Sequence, residues 1–566
     1  MTRQQATRQA TGPVGARPGR ARWWLAALSA LILLPVQQAS ATAAAPDTAG
    51  TGASVDAPGH LPAAARADLL AIARDTWKFY QVGVGVDAVT HLPLDNVALA
   101  GGAGTPTGYG RYTSASNVGV YLWAIVSAGD LGLIDRAQER TRVRDLLTGV
   151  ARMPRDHGFL YQWYDTTTGH VIRNPNDTEC PSLGSTFDNC SFVSNVDNGW
   201  YASGLIVARQ ALPELRSRID ALIAPMNFGL FYDGRAQTHC NTNPALPGNQ
   251  PTGQMFGGYY VGLPVDQGDN WTHYYHNGAF YSDPRISAYI GMGLHQMPGN
   301  VWWRSWRVLP PAAPFADCQA TDPDFSWQGQ WPAGGQWQTY TDPQSGQPFT
   351  VWEGHYTYPG TDLSFIPTFA GGAFEGLMAN EVVPETSWGR HSFGRADLRT
   401  AQVQVRYSTE QLHQPVWGMS PSSIADDSGG YGGFGVEGLT FPYHGFGADA
   451  SNPNLGLSGC HGCATEDVVT PHASAIALDV LPQQAYANLV ALRSRYPGVY
   501  GAYGFFDAVN PATGSVGHRY LALDQSMIMA ALDNALDDRA MQRWFARDPV
   551  SWAARTYLSL ETMSIG

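Results

Sequence analysis

About ten segments carry apolar residues at helical spacing, and no linker separates any of them; this constrains the fold more than any other feature of the chain. They span 61–80, 114–130, 135–152, 198–211, 285–294, 364–379, 397–412, 472–479, 482–494 and 520–535. Residues 114–130 show the pattern: Ser114 and Ser116 stand where a cap belongs, and Val118, Tyr121, Leu122, Ile125 and Val126 share one face. Between the segments lie long loops rich in Gly, Pro, Asn and Trp, notably 226–280, 310–360 and 414–470, and loops of that length are uncommon unless they carry function. Both features suit an all-α toroid whose loops gather over one end. A mixed α+β chain stays open, because Val351, Val403 and Val405 fall in short alternating stretches.

The amino end reads as an address. Arg3, Arg8, Arg17, Arg20 and Arg22 precede an apolar run from Trp23 to Val36, and Ala39-Ser40-Ala41 has the small-x-small form of a cleavage site. The run is shorter than the ~20 residues of a bilayer span, so residues 1–41 are expected to be an export signal rather than an anchor. Residues 42–58, rich in Ala, Thr, Gly and Pro, are expected to be a disordered start, and 59–566 a single catalytic domain. An exported chain can hold disulfides, and three are open to it: Cys180 and Cys190 flank a short polar loop, Cys460 and Cys463 form a tight pair, and Cys240 and Cys318 remain. Pairing is not legible from spacing.

The formal net charge of -13 argues against nucleic acid and anionic membranes as partners. No His-Glu-x-x-His pattern is present, and Asp322, Asp324, Asp426 and Asp427 support at most a structural calcium, so no metal or cofactor is expected. No Gly-x-Ser-x-Gly elbow points to a serine hydrolase. Gly430 to Gly435 lets backbone approach a ligand closely, but no Gly-Lys-Ser/Thr follows to make a phosphate loop.

Three acids stand in apolar or aromatic settings: Asp197 before Asn198-Gly199-Trp200, Asp283 between Ser282 and Pro284, and Glu375 between Phe374 and Gly376. Carboxylates are costly beside rings unless paired. Structural roles would explain each: Asp197 and Asp283 as helix caps, and Glu375 in a buried ion pair with Arg285. The alternative is glycoside chemistry, in which one protonated carboxyl serves the leaving oxygen and a second carboxylate acts as base or nucleophile.

Several segments carry a resemblance. They are Ser116-Asn117-Val118-Gly119-Val120-Tyr121, Gly158 through Asp165, Val193 through Trp200, Ser282-Asp283-Pro284-Arg285-Ile286, Gly372 through Met378, Trp417-Gly418-Met419-Ser420, Gly430 through Gly435, Tyr503 through Asp507 and Tyr520 through Gln525. In this order they resemble the glycoamylase-like family of secreted bacterial glycoside hydrolases, related to endo-β-1,2-glucanases and to the transglycosylating domain of cyclic β-1,2-glucan synthases. The resemblance implies an (α/α)6 barrel with its active site in a cleft at one end. It implies Asp283 as general acid, one methylene shorter than the Glu usual there, Glu375 as the second carboxylate, and Asp197 as a cleft residue that binds sugar hydroxyls or holds water. Trp163, Tyr164, Asp165, Asn198, Trp200, Trp417, Tyr431 and Phe434 are the candidate sugar contacts, combining ring faces with polar groups. Arg285 would order the carboxyls or bond a hydroxyl, and His472 stands where relatives often have an aromatic residue. Asp507 and Asp524-Gln525 read as scaffold.

The expected function is a secreted or periplasmic, monomeric glycoside hydrolase acting on an oligo- or polysaccharide, with endo-β-1,2-glucanase as the first reading. A glycosidase or transglycosidase on another bacterial glycan, and a non-catalytic glycan-binding protein, are the alternatives; product analysis separates them.

Overall fold

The computed structural model describes residues 61–234, 254–263, 277, 280–305, 307, 334–358, 360–368, 371–436 and 468–566. Its helices are α1 (Ala63–Trp77), α2 (Ala115–Asp130), α3 (Arg136–Val150), α4 (Asn195–Ala211), α5 (Arg216–Ile223), α6 (Arg285–Gly293), α7 (Asn300–Arg304), α8 (Ala373–Leu377), α9 (Glu385–Trp388), α10 (Phe393–Arg406), α11 (Pro471–Ile476), α12 (Pro482–Arg495), α13 (Ala522–Leu536), α14 (Ala540–Ala546) and α15 (Trp552–Leu560). All belong to one compact unit running from Ala57 to Gly566.

Two kinds of helix alternate, and composition separates them. In α2 every residue from Ala115 to Ala128 is buried, and α4 and α13 are buried nearly all round. By contrast, α3 and α12 bury only one stripe, Val143, Leu146, Leu147 and Val150 in the first and Ala485, Leu489 and Leu492 in the second. A helix apolar on all sides must be surrounded by protein, whereas a striped one lies outside with its charged face in water. The buried set is α2, α4, α6, α8, α11 and α13. Packing joins α2 to α4, α4 to α6, α8 to α11, α11 to α13, and α13 back to α2. Glycine makes the closest of these approaches: a Cβ at Gly119 would stand 2.2 Å from Trp200 O, and one at Gly204 would stand 2.1 Å from Gly119 O.

Side chains fix where the helices begin. Ser114 caps α2, its Oγ accepting from the Asn117 N–H at 3.2 Å. Asp135 and Gln138 form a reciprocal capping box on α3. Ser194 caps α4, which removes the capping role from Asp197. At α6 the cap position belongs to Pro284 and no side chain bonds the helix end, so Asp283 is not a cap either.

The expected 364–379 helix is much shorter. Ser364–Phe365 is a strand, Gly371 takes φ 71°, and the helix begins only at Ala373. Sheet is present but small. Gly334–Thr341 and Pro348–Thr357 form an antiparallel hairpin with Trp337 opposite Trp352, and Ser364–Phe365 pairs on its inner edge. Val351 lies in that hairpin, inside a stretch expected to be loop, while Val403 and Val405 lie in α10. A second sheet orders Gly108–Gly110, Asn96–Ala98 and Arg519–Leu521, joining chain segments far apart in sequence.

Cys180 and Cys190 form a disulfide. Cys240, Cys318, Cys460, Cys463, Asp322, Asp324 and the 1–41 segment lie outside the described residues. Among the described residues no helix is long and apolar enough to cross a membrane.

Candidate active site

The buried helices bring their first turns to one end. Ala522 N–H at the start of α13 donates to Asp95 O at 2.8 Å, and Asn117 Nδ2 in the first turn of α2 donates to Asp95 Oδ1 at 2.9 Å. Ser116 Oγ donates to Asp197 Oδ1 at 2.5 Å, linking α2 to α4. Ser287 Oγ of α6 donates to Asn195 O of α4 at 3.0 Å. Ser282 Oγ, before α6, donates to Glu375 Oε2 of α8 at 2.9 Å. The Phe374 and His472 rings lie 6.2 Å apart, linking α8 to α11, and His472 Nδ1 lies 3.5 Å from Asp524 Oδ1 on α13.

Asp283 and Glu375 lie side by side. Ser282 Oγ bridges their carboxyl groups, 3.4 Å from Asp283 Oδ1 and 2.9 Å from Glu375 Oε2. Two carboxyls buried side by side cannot both ionise cheaply, so the pair holds a proton. Burial raises Asp283; burial and then the charge of Asp283 push Glu375 well above the ordinary carboxylate range. The pair is asymmetric: Asp283 is half-buried, whereas Glu375 is 8 % exposed. Trp200 Nε1 lies 3.5 Å from Asp283 Oδ2 on one flank. Asp197 stands beside the pair, held by Ser116 and by Gln162 Nε2 at 3.2 Å, and its charge adds to the rise at Asp283.

Arg285 is not in the cleft. Its side chain is fully buried and all five N–H donors are used within the protein. Nε and Nη2 grip Glu385 at 2.8 Å each, Nη1 donates to Ser282 O at 2.9 Å and Glu375 O at 3.2 Å, and Nη2 also bonds Gly376 O. The guanidinium therefore pins together the two backbone segments that carry the acid pair. An ion pair with Arg285 does exist, but its partner is Glu385 rather than Glu375.

Other expected contacts have structural duties. Tyr164 is fully buried, with its hydroxyl between Pro154 O and Tyr161 N–H. Asp165 Oδ1 accepts from the backbone of Thr167 and Thr168 and so closes a turn. Asn198 is buried and pairs both backbone groups of Leu160. Trp200 is 2 % exposed, edge-on to Trp123, and faces the site only through its N–H. Asn488 holds the backbone of Trp417, which is buried. Phe434 packs beside Ala425, Val468 and Ala508.

Trp163 and Tyr431 remain open. Trp163 is half-buried and edge-on to Tyr112, whose hydroxyl accepts from Asn96 Nδ2 at 3.1 Å. Tyr431 is 54 % exposed and stands against a wall of acids, Asp524, Asp507, Glu375 and Asp95.

The wall includes a second carboxyl pair, Asp507 with Asp524, taken from the sequence as scaffold. The two are 2 % and 1 % exposed; burial raises both, and the charge of Asp507 adds to the rise at Asp524. Beside them burial lowers His472 to about 3, leaving its imidazole neutral. The sequence did hold a signal for Asp524: it is the third residue of α13, as Asp197 is of α4 and Glu375 of α8. Ser116, Gln162 and Ser282, which hold the acids, are single polar residues without a pattern of their own.

Comparison with known proteins bears on the fold. Residues 385–549 match the Glycoamylase family model, described as "Putative glucoamylase". Cyclic beta-(1,2)-glucan synthase NdvB of Rhizobium meliloti (strain 1021) is 24% identical over 553 residues, taking in 86% of this chain but only 18% of that protein. An endo-beta-1,2-glucanase from Chitinophaga pinensis, solved with sophorotriose and glucose, superposes with TM-score 0.57 at 16% identity, over 87% of this chain and 98% of that one. A "putative glucoamylase" from Bacteroides uniformis ATCC 8492 gives TM-score 0.58 at 14% identity, over 88% and 99%. The resemblance read from the sequence is thereby shown: the chain carries the Glycoamylase pattern over residues 385–549 and shares the mostly helical fold of these glucanase and glucoamylase structures.

Proposed function

We propose that this chain is an exported glycoside hydrolase on an (α/α)6 barrel, acting as an endo-β-1,2-glucanase. The carrying observation is the proton-sharing pair of Asp283 and Glu375 at the end where the buried helices begin. The Chitinophaga pinensis neighbour, held with sophorotriose and glucose, supports the substrate class.

The geometry divides the labour. Acid and second carboxylate stand about 5–5.5 Å apart in retaining enzymes and about 6.5–9.5 Å apart in inverting ones. Asp283 and Glu375, bridged by the single Ser282 hydroxyl, sit side by side, and we read them as one acid. Asp283, the more open member, gives the pair's proton to the glycosidic oxygen as the C–O bond breaks, and the proton released from the attacking water returns through solvent to the pair. On this reading Glu375 belongs to the acid, whereas the resemblance implied it as the second carboxylate, nucleophile or base. That role falls to Asp197, whose two oxygens are aimed by Ser116 and Gln162 and which takes the proton of the water attacking the anomeric carbon.

Product analysis on a panel of glucans tests this, with Asp283→Asn, Glu375→Gln and Asp197→Asn beside the parent. Short β-1,2-linked products from the parent alone support it. A parent that cleaves nothing but is retarded by glucan in affinity gels is a binding protein. Cleavage of a different linkage keeps the hydrolase and overturns the substrate.

A further inference from the structure

The far end of the buried helices carries a carboxylate cluster with no part in this reaction. Asp130 is the last residue of α2; Asp533 lies in the last turn of α13, and Asp537 directly follows it. One oxygen from each lies within 4.8 Å of the others. Asp533 is fully buried and neither of its oxygens makes a hydrogen bond of good geometry, the buried Ser127 hydroxyl beside it being likewise unpaired. Asp130 and Asp537 are half-buried, which leaves a route to solvent.

The protein only partly neutralises the group. Trp544 Nε1 donates to Asp130 Oδ2 at 2.7 Å, and Arg543 Nη2 donates to Asp537 Oδ2 at 3.1 Å. The other terminal nitrogen of Arg543 is taken by the carbonyl oxygens of Asp537 and Asp538. The carboxyl ends of two long helices, each carrying partial negative charge, close on the same place. A divalent cation relieves two of the charges gathered there and gives the Asp533 oxygens a partner.

We propose that Asp130, Asp533 and Asp537 bind a hard divalent cation, calcium, which ties the carboxyl ends of α2 and α13 together. The donor set is oxygen only, as calcium requires, and the half-open side admits waters to complete its about six to eight ligands. Magnesium, which demands near-ideal octahedral geometry, fits three converging carboxylates less well. A ligand that binds only the folded chain raises its unfolding temperature. Nothing in the cluster's separation along the sequence reveals it, since Asp130 and Asp533 meet only when the helices pack.

The test is thermal unfolding of the intact, chelator-stripped chain against increasing calcium chloride, with potassium chloride at matched ionic strength as control. A saturable rise of several degrees, absent in Asp533→Asn and Asp537→Asn, is expected, and isothermal titration should count one site. Half-exposed Asp537 keeps the test open even where Asp533→Asn fails to fold. No rise, an equal rise with potassium chloride, or an equal calcium response in Asp537→Asn overturns the proposal.

Discussion

The two ends of the buried helices use the same residue type to opposite purpose. At the amino end, Asp283 and Glu375 share a proton in front of a fully satisfied guanidinium, and Asp283 opens to the cleft. At the carboxyl end, Asp533 is buried with both oxygens unpaired, and Arg543 is the cation beside the cluster. The amino ends of α4 and α13, with partial positive charge, favour carboxylates, whereas the carboxyl ends of α2 and α13 oppose them. Burial raises the acids at both ends, and at the carboxyl end the helix field opposes their charge as well. An expensive cluster calls for a counter-ion.

The comparison can be broken first at the acid pair. Glu375→Gln and Asp283→Asn should each lower kcat about 10²–10⁴-fold, the range of general acid catalysis, while Asp533→Asn leaves kcat unchanged. Steady-state rates on a β-1,2-glucan measure this, with circular dichroism to show that the variants fold. Next is the support behind the pair. Arg285→Met leaves Glu385 buried and unpaired, which should cost about 3–5 kcal/mol in denaturant unfolding. Lys at 285 should not restore it, because one ammonium cannot replace five fixed donors.

Acidity gives a third test, with a definite sign. Glu375, Asp524 and Asp533 are raised in the fold, so each takes up a proton on folding. Their contribution is complete below the unfolded values, 3.8 for Asp and 4.5 for Glu, and is lost as pH rises toward the folded values. The calcium-free chain should therefore be more stable near pH 5 than near pH 8, each proton contributing up to about 1.4 kcal/mol per pH unit within its window. Unfolding midpoints across that range check it, and Asp533→Asn should flatten the slope. The smallest effect belongs to the rings. Tyr431→Ala and Trp163→Ala should raise KM by about tenfold or less with little change in kcat, since a lost stacking contact is worth about 0.5–1.5 kcal/mol.

Helices were the most legible part of the chain, because a 3.6-residue pattern is local. α2, α3, α4, α12 and α13 lie close to where periodicity places them. The 364–379 segment misled because Ile366 and Met378 fit one apolar face, while Gly371 and Gly372 break the backbone between them. The long hairpin went unseen because its alternation competes with turn residues in a Gly- and Trp-rich stretch. Among site residues, the acids were visible through their unusual neighbours. Tyr164, Asp165 and Asn198 were not separable from ligand contacts, since a buried hydroxyl, a turn-closing carboxylate and a strand-pairing amide present the same side chains as a sugar site. Arg285 was visible as important; that its donors would all be spent on the backbone and Glu385 depends on residues nearly a hundred positions away.

The sheet that joins Asn96–Ala98 to Arg519–Leu521 has a consequence for how the chain reaches this state. Tyr80 and Arg66 likewise find their partners at Ala522 and Ala535, separations of 442 and 469 residues. Closing such loops is entropically slow, and the contacts reward it only once both ends are present. The first helices must therefore wait for the last, with the apolar faces that α13 later covers left uncovered in the meantime. A polypeptide stopped short of α13 should be a better substrate for proteases and chaperones than for its glycan.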